Sequence, residues 1–413
     1  MTNKKKETSI ILNKNFLYFW LGQSISNLGS SITLLVLPLM ILDMTGSAFQ
    51  VSVVSALMIA PYAIIGLPAG VYLDKWDRKK VMLICDLLRF FSFSSLTVAG
   101  WFDAVHIFHI YIVGLVSGIG MVFHSIAEVS ILPNLVEKKL LGKANSYTYG
   151  ASNLMNLIGP SVGGVLYTLI GGLNTIGLDA LSYLVSFILL SLISLEHKTN
   201  CKTKPKVEKE VKKLITQGFK YLWKERTIRS MLIIITFMNL IVAPYSLYTL
   251  VFAKEELGAT PELLGFLYGI ASLGGLAGSL LAGKWVVKIP FGKLIVATIL
   301  VEVISRFFVP FVPTMVYLLV CLTFVYGATA VVNIAIITLR QTMVPEELQG
   351  RVNATFRTIV FSVQPLGQLI GGYLLIKVGA QWSLLLAAMV YSPVLLFAFL
   401  SGLYKVNEGV IEQ

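Results

Sequence analysis

Glu128, Asp179, Glu302 and Arg306 each lie inside a long apolar stretch of this 413-residue sequence. A charge in such surroundings is costly, so it faces a partner or a cavity, or it handles a proton. Glu302 and Arg306 are four residues apart, a spacing that lets them pair on one helix. Self-pairing and a part in binding or ion coupling both remain open for them. Glu128 has no Lys or Arg within reach on its own segment and is the leading candidate for a group that gains and loses a proton. Asp179 either does the same or accepts hydrogen bonds from hydroxyls near the outer surface. Asp86 and Arg89 suggest a local structural ion pair, and His109 and His124 read as hydrogen-bonded packing residues.

Uncharged polar groups accompany these charges. Gln23, Asn27 and Ser31 share one face of the first apolar segment, and Asn239, Asn333, Arg357 and Gln364 lie in later ones. With Phe123, Tyr245, Tyr248 and Phe361 they suggest a roomy cavity of amide and aromatic character, suited to large amphipathic compounds. For each single amide, hydrogen bonding between helices is the competing reading. There is no nucleophile–base set, no His-rich metal spacing and no phosphate-cradling loop, so neither an enzyme nor a metal or cofactor is expected. Cys85, Cys201 and Cys321 lie in separate segments and read as ordinary thiols.

The elements that hold these groups are membrane helices. Hydrophobic residues make up 56% of the sequence and charged residues 13%, against roughly 25% charged in a soluble domain. Stretches of about 20 apolar residues, enough to cross a bilayer, recur near residues 16–42, 48–72, 80–101, 105–132, 143–171, 174–195, 229–253, 262–287, 292–311, 314–340, 348–377 and 381–404. The first is too long for a secretory signal and is read as a retained helix. The net charge of +12 follows the rule that short cytoplasmic loops collect Lys and Arg. Lys4, Lys5, Lys6 and Lys14, then Lys75, Arg78, Lys79 and Lys80, then Lys138, Lys139 and Lys143 occupy alternate connections. Both termini are therefore expected in the cytoplasm of a cell-membrane protein, and nucleic-acid binding is not expected.

Residues 196–230, with eleven Lys or Arg and four Glu, divide the segments six and six. The expected organisation is a six-helix bundle over 1–195, a basic cytoplasmic linker over 196–228 and a second six-helix bundle over 229–413. Val207, Val211, Leu214, Ile215, Phe219 and Leu222 recur at helical spacing, so part of the linker reads as an amphipathic helix on the membrane surface. Placing residues 136–171 on 344–379, a shift of 208, matches nine positions, five of them glycine. Parallel repeats of this kind put a ligand site between two bodies near the midplane. Gly159 and Gly163, and their counterparts Gly367 and Gly371, are spaced at four and predict flat faces crossing a helix of the other bundle, with Pro160 bending the fifth segment and Gly164 beside it.

Gly70-Val71-Tyr72-Leu73-Asp74-Lys75-Trp76-Asp77-Arg78-Lys79-Lys80 resembles the signature loop of the major facilitator superfamily, with Asp77 where that signature usually has glycine. Gly159-Pro160 and Gly163-Gly164 resemble the core of its antiporter motif. Asn27-Leu28-Gly29-Ser30-Ser31, Leu42-Asp43-Met44-Thr45-Gly46-Ser47, Asp86-Leu87-Leu88-Arg89 and Asp179-Ala180-Leu181-Ser182-Tyr183 look like its macrolide-efflux and siderophore-exporter branch. The resemblance implies an all-α fold of twelve transmembrane helices in two pseudo-symmetric halves. It implies a monomeric secondary exporter of macrolide-like drugs or siderophore-like metabolites, coupled to protons. It also implies a cytoplasmic gate in which Gly70, Asp74 and Arg78 meet the eleventh helix. Membrane lipids, protons and an amphipathic small molecule are the expected partners. A lipid or metabolite transporter of the same fold, working by uptake or flipping, and a non-transporting membrane scaffold are the alternatives. After the eighth segment the matching stretch, Gly278 to Trp285, has alanine in place of the aspartate, so a charged latch is expected from the first bundle alone.

Overall fold

The computed structural model describes residues 13–73, 76–137, 140–194 and 207–406, and among them the fold is helical with no strand. Six helices come first: α1 (Lys14–Thr45), α2 (Ala48–Leu73), α3 (Arg78–Trp101), α4 (Ile107–Leu135), α5 (Leu141–Ile170) and α6 (Gly172–Ser191). A linker helix, α7 (Val207–Lys224), leads to α8 (Arg226–Glu255), α9 (Pro261–Lys288), α10 (Phe291–Phe308), α11 (Met315–Met343), α12 (Glu346–Ser362) and α13 (Gln364–Leu400). Among the described residues there are eleven apolar spans, of which Leu348–Leu400 is 53 residues long. At 1.5 Å per residue that span would extend about 80 Å, far beyond a hydrocarbon core of about 30 Å. It is two crossings, folded back at Gly379, where φ is 79° and ψ 173°. The chain therefore has twelve crossings, at the positions their hydropathy predicts.

The fold-back has a twin. Gly171, 208 residues earlier, has φ 79° and ψ 162° between α5 and α6. Only glycine adopts this backbone conformation readily, so the repeat seen in the sequence is a repeat of backbone geometry. Tyr183 and Tyr391, at the same shift, are both buried in the helices that follow. This is the pseudo-symmetric arrangement of two six-helix units.

Successive helices run up and down, so the ends near α7 form one face, here the linker face, and the loops at 46–47, 102–106, 171, 256–260 and 379 form the far face. Side chains pin the linker-face ends together: Asn13 donates to the Leu135 carbonyl at 2.8 Å, and Lys79 to the carbonyls of Ser191 and Ile193 at 2.9 and 2.7 Å. The linker helix packs on the second bundle. Leu222 is buried in the core, Tyr221 donates to the Met343 carbonyl at 2.9 Å, and Gly218 lies so close to α12 that a side chain there would meet Thr355 and the Arg351 carbonyl. Phe219 and Trp223 stack at 5.7 Å on its exposed side; the side chains of 207–215 are outside the described residues.

Gly171→Ala and Gly379→Ala each force a side chain into glycine-only backbone space, at a cost of about 1–3 kcal/mol. Thermal melts in detergent should show both variants destabilised to a similar degree. An unchanged melting temperature for either would contradict the hinge.

Candidate functional site

Three of the sequence patterns singled out above, from α1, α3 and α6, meet at one buried place. Asp179 is fully buried; its Oδ2 accepts from Thr33 at 2.5 Å and from the Tyr183 hydroxyl at 3.4 Å, and its Oδ1 from Ser182 at 3.1 Å. Arg89 donates to the Tyr183 hydroxyl at 2.5 Å and to Ser30 at 3.3 Å, and its guanidinium lies 4.0 Å from the centre of the Tyr183 ring. The Ser30 and Tyr183 hydroxyls are 2.9 Å apart. One phenol thus stands between a carboxylate and a guanidinium, each on its own helix. Gly29 makes this possible, because a Cβ there would collide with the Asp179 carboxylate and the Ser182 hydroxyl. Gly120 of α4 leaves room for Arg89, whose Cγ would be 3.2 Å from a Cβ at that position.

A second acid continues the site toward the linker face. Asp86, also fully buried, has Oδ1 3.2 Å from Nε2 of His124 on α4, an ion pair when the imidazole is protonated. Asp86 and Arg89 do not pair with each other. One helical turn apart, they are drawn to different neighbours, His124 and Tyr183, which corrects the local ion pair expected from sequence. Glu128 lies one turn beyond His124 on the same face of α4 and interacts electrostatically with His124 and Asp86. Glu128, His124, Asp86, Arg89, Tyr183, Asp179 and Thr33 run from the linker-side third of the first bundle to just beyond its middle.

The second bundle answers with a closed pair. Glu302 and Arg306 bond at 2.7 Å, Thr329 donates to Glu302 at 2.8 Å, and the guanidinium lies 4.2 Å from the Tyr245 ring and 5.0 Å from that of Tyr391. Both halves hold an arginine against the equivalent tyrosine, Tyr183 or Tyr391. Only the second binds its carboxylate directly to the arginine.

The glycine seam differs from its expected form. Gly159 and Gly163 pack on Ser31 and Ile32 of α1, and Gly367 and Gly371 on Leu240, Pro244 and Tyr248 of α8, all within their own bundles. The second glycine of each pair crosses to the other bundle: Gly164 sits against Pro261 and Glu262 of α9, and Gly372 against Ser52 and Phe49 of α2. Successive helical residues point about 100° apart, so a Gly-Gly pair serves two neighbouring helices at once. Gly265 closes on the Pro160 carbonyl, and Ser161 donates to the Gly265 carbonyl at 3.2 Å. Beside this seam Asp43 of α1 pairs with Lys254 of α8 and accepts from Tyr167.

These contacts gather in the far half. Toward the linker face, Tyr149, Asn153 and Leu154 of α5 are exposed, and side chains placed at Gly70, Gly142, Gly150, Gly283 or Gly350 would meet nothing within 4 Å. Gly66 and Gly70, four residues apart, do not bring two helices together here: a Cβ at Gly66 would meet only Tyr62 of its own helix. Asp74 lies outside the described residues. Arg78 is half-buried at the start of α3, and Asp77 caps that helix by accepting from the backbone N–H groups of Lys79 and Lys80. Its place in the loop follows from that capping.

The amides distribute unevenly around the cleft between the bundles. Gln23 is buried, with its amide 3.5 Å from Ser186 of α6, so it packs α1 on α6 and does not line the cleft. Asn27 is half-exposed, Asn333 and Arg357 are exposed, and Gln364 donates to Asn239. Arg357 lies 5.7 Å from the Tyr62 ring and 5.9 Å from that of Phe361, and those two rings are 5.0 Å apart across the bundles.

The family model described as Major Facilitator Superfamily matches residues 19–367 and 234–410. The chain is 26% identical over 353 residues to a multidrug efflux pump, Tap, of Mycolicibacterium fortuitum, covering 83% of this chain and 85% of that one. It is 23% identical over 410 residues to macrolide efflux protein A of Streptococcus pyogenes, covering 95% and 97%. It is 26% identical over 364 residues to the enterobactin exporter EntS of Escherichia coli O1:K1 / APEC, covering 88% and 84%. Among solved structures, a bacterial homologue of the human lysosomal transporter Spinster, inward-facing and unoccupied, superposes with a TM-score of 0.76 at 14% identity, covering 96% of this chain and 97% of that one.

The Asp43–Lys254 pair spans the far seam with both side chains partly exposed, so its contribution is about 0.2–1 kcal/mol. Asp43→Asn should shift the population with the far side closed by about 1.4- to fivefold, read as spin-label distances between the far ends of α1 and α8. Unchanged distance distributions would remove the pair from the closure.

Proposed function

This chain belongs to the Major Facilitator Superfamily, and on that premise we propose that it exports amphipathic small molecules, macrolide-like drugs or siderophore-like metabolites, in exchange for protons. The observation that carries the reading is the buried site of the first bundle, where Asp179 and Asp86 each lie beside a partner that can compensate or relay their charge. The relatives named for efflux of drugs, macrolide and enterobactin support the substrate class.

The linker face is the cytoplasmic side, because the basic loops gather there. With the far seam closed and α5 exposed below it, substrate enters from the cytoplasm between Asn27, Asn333, Arg357 and Gln364. Protons arrive from the opposite side at Asp179. Protonating Asp179 removes the negative charge that balances Arg89 across the Tyr183 hydroxyl, leaving the guanidinium attracted to Asp86, one turn back on α3. The shift loosens α6 and α1 from α3 and transmits the change to α4. Asp86, His124 and Glu128 then pass the proton to the cytoplasmic side. Each pH unit of gradient supplies about 1.4 kcal/mol per proton, enough for a tenfold concentration ratio of exported compound. When the cytoplasmic side closes, Gly70, Asp74 and Arg78 latch against α12. Glu302 and Arg306 neutralise each other and serve as a strut.

The test is transport in liposomes under an imposed pH gradient, with a panel of macrolides, cationic dyes and siderophores. Movement that a protonophore abolishes is the expected result; movement indifferent to the gradient would overturn proton coupling. Glu128→Gln should flatten the pH dependence of export, and an unchanged dependence would take Glu128 out of the path. Asp74→Asn should insert normally and transport poorly, whereas wild-type rates would exclude the latch.

A further inference from the structure

At the linker face the last helix ends in a turn that the proposed transport cycle leaves unused. Gly402, at φ 78°, reverses the chain after α13, and residues 403–406 lie directly on the start of α10. A Cβ at Gly292 would collide with the Leu403 carbonyl, and the Gly292 N–H donates to the Val406 carbonyl at 3.3 Å. The Phe399 and Tyr404 rings stack at 4.6 Å, fixing the turn. Between this turn and the first residues of α8 lies a cavity of about 460 Å³, lined among others by Arg226, Thr227, Ser401, Tyr404 and Lys405.

The walls of this cavity have two characters. Arg226 and Lys405 bring positive charge, both exposed, and Lys293, exposed on α10, adjoins the turn. On the outer side Leu396, Phe399 and Leu400 are exposed, as are Phe219 and Trp223 of the linker helix. Those apolar residues need hydrocarbon, and the cavity beside them sits where the helices leave it, at headgroup depth.

We propose that this cavity binds the phosphate headgroup of an anionic phospholipid, with Arg226 and Lys405 on the phosphate and the acyl chains along Leu396 and Leu400. Basic pockets between membrane helices at this depth are suited to anionic headgroups. Arginine offers a fork of donors that matches a phosphate, and the Thr227 hydroxyl adds another. The occupant ties the end of α13 to the start of α8, the point where the linker enters the second bundle. The site stands whichever way substrate moves.

The experiment is native mass spectrometry of the full-length protein with phosphatidylglycerol, phosphatidylcholine or inorganic phosphate added. The wild type should retain phosphatidylglycerol selectively. Arg226→Gln with Lys405→Gln should weaken that retention roughly 30-fold, about fivefold for each basic residue removed. Arg226→Lys with Lys405→Arg should keep it, separating charge from folding. Equal retention of phosphatidylglycerol by the neutral and charged variants would overturn the site. Displacement of the lipid by millimolar inorganic phosphate would overturn its assignment to a phospholipid.

Discussion

A carboxylate cannot stay charged inside a membrane without a partner, and this fold answers that constraint differently in its two halves. In the second, Glu302 is held by Arg306 and Thr329 within an aromatic enclosure. Such a pair is costly to break, because either partner alone would be an uncompensated buried charge. In the first, Asp179 reaches its cation only through the hydroxyl of Tyr183, and Asp86 reaches His124. A shared hydroxyl and an imidazole can both pass a proton on, and a direct guanidinium–carboxylate pair cannot. The repeat supplies the equivalent tyrosines, and each half sets an arginine against its own from a position the shift does not relate. The placement of the acid differs: one half binds it directly to its arginine, the other reaches it through a hydroxyl.

The glycines translate that difference into a molecule with two faces. At the far face Gly164, Gly265 and Gly372 bring backbones of the two bundles into contact. Toward the linker face, Gly70, Gly142, Gly150, Gly283 and Gly350 have open space where a side chain would stand. Contacts between membrane helices depend on close packing, since lipid competes equally for apolar surface. The Gly-Gly pairs of α5 and α13 place one residue on the interface with α1 or α8 and the next on the seam between the bundles.

The crossings, the amphipathic linker and the repeat were all legible in the sequence, because hydropathy and glycine spacing act locally. The charge pairing within α10 was legible for the same reason, being a contact of one turn. What could not be read was which helix each polar face meets. Gln23 carried every mark of a cavity residue and is packed on α6; Asp86 and Arg89 looked like each other's partners and are not. Ser30, Thr33, Tyr183 and His124 escaped because hydroxyls and a lone imidazole are ordinary in apolar helices. Their importance comes from α1, α3, α4 and α6 converging. One signal was available: Gly29, Arg89 and Asp179 each fell within a stretch matching the same branch of the family, and residues matched together share a site more often than the spacing within any one stretch reveals.

In the proposed cycle the first bundle carries the exchangeable proton. The direct measurement is proton release from weakly buffered, detergent-solubilised protein on addition of a transported macrolide. Release by the wild type is expected, with its loss in Asp179→Asn and its persistence in the neutral double variant Glu302→Gln with Arg306→Met. Release that survives Asp179→Asn and disappears in the double variant would contradict it.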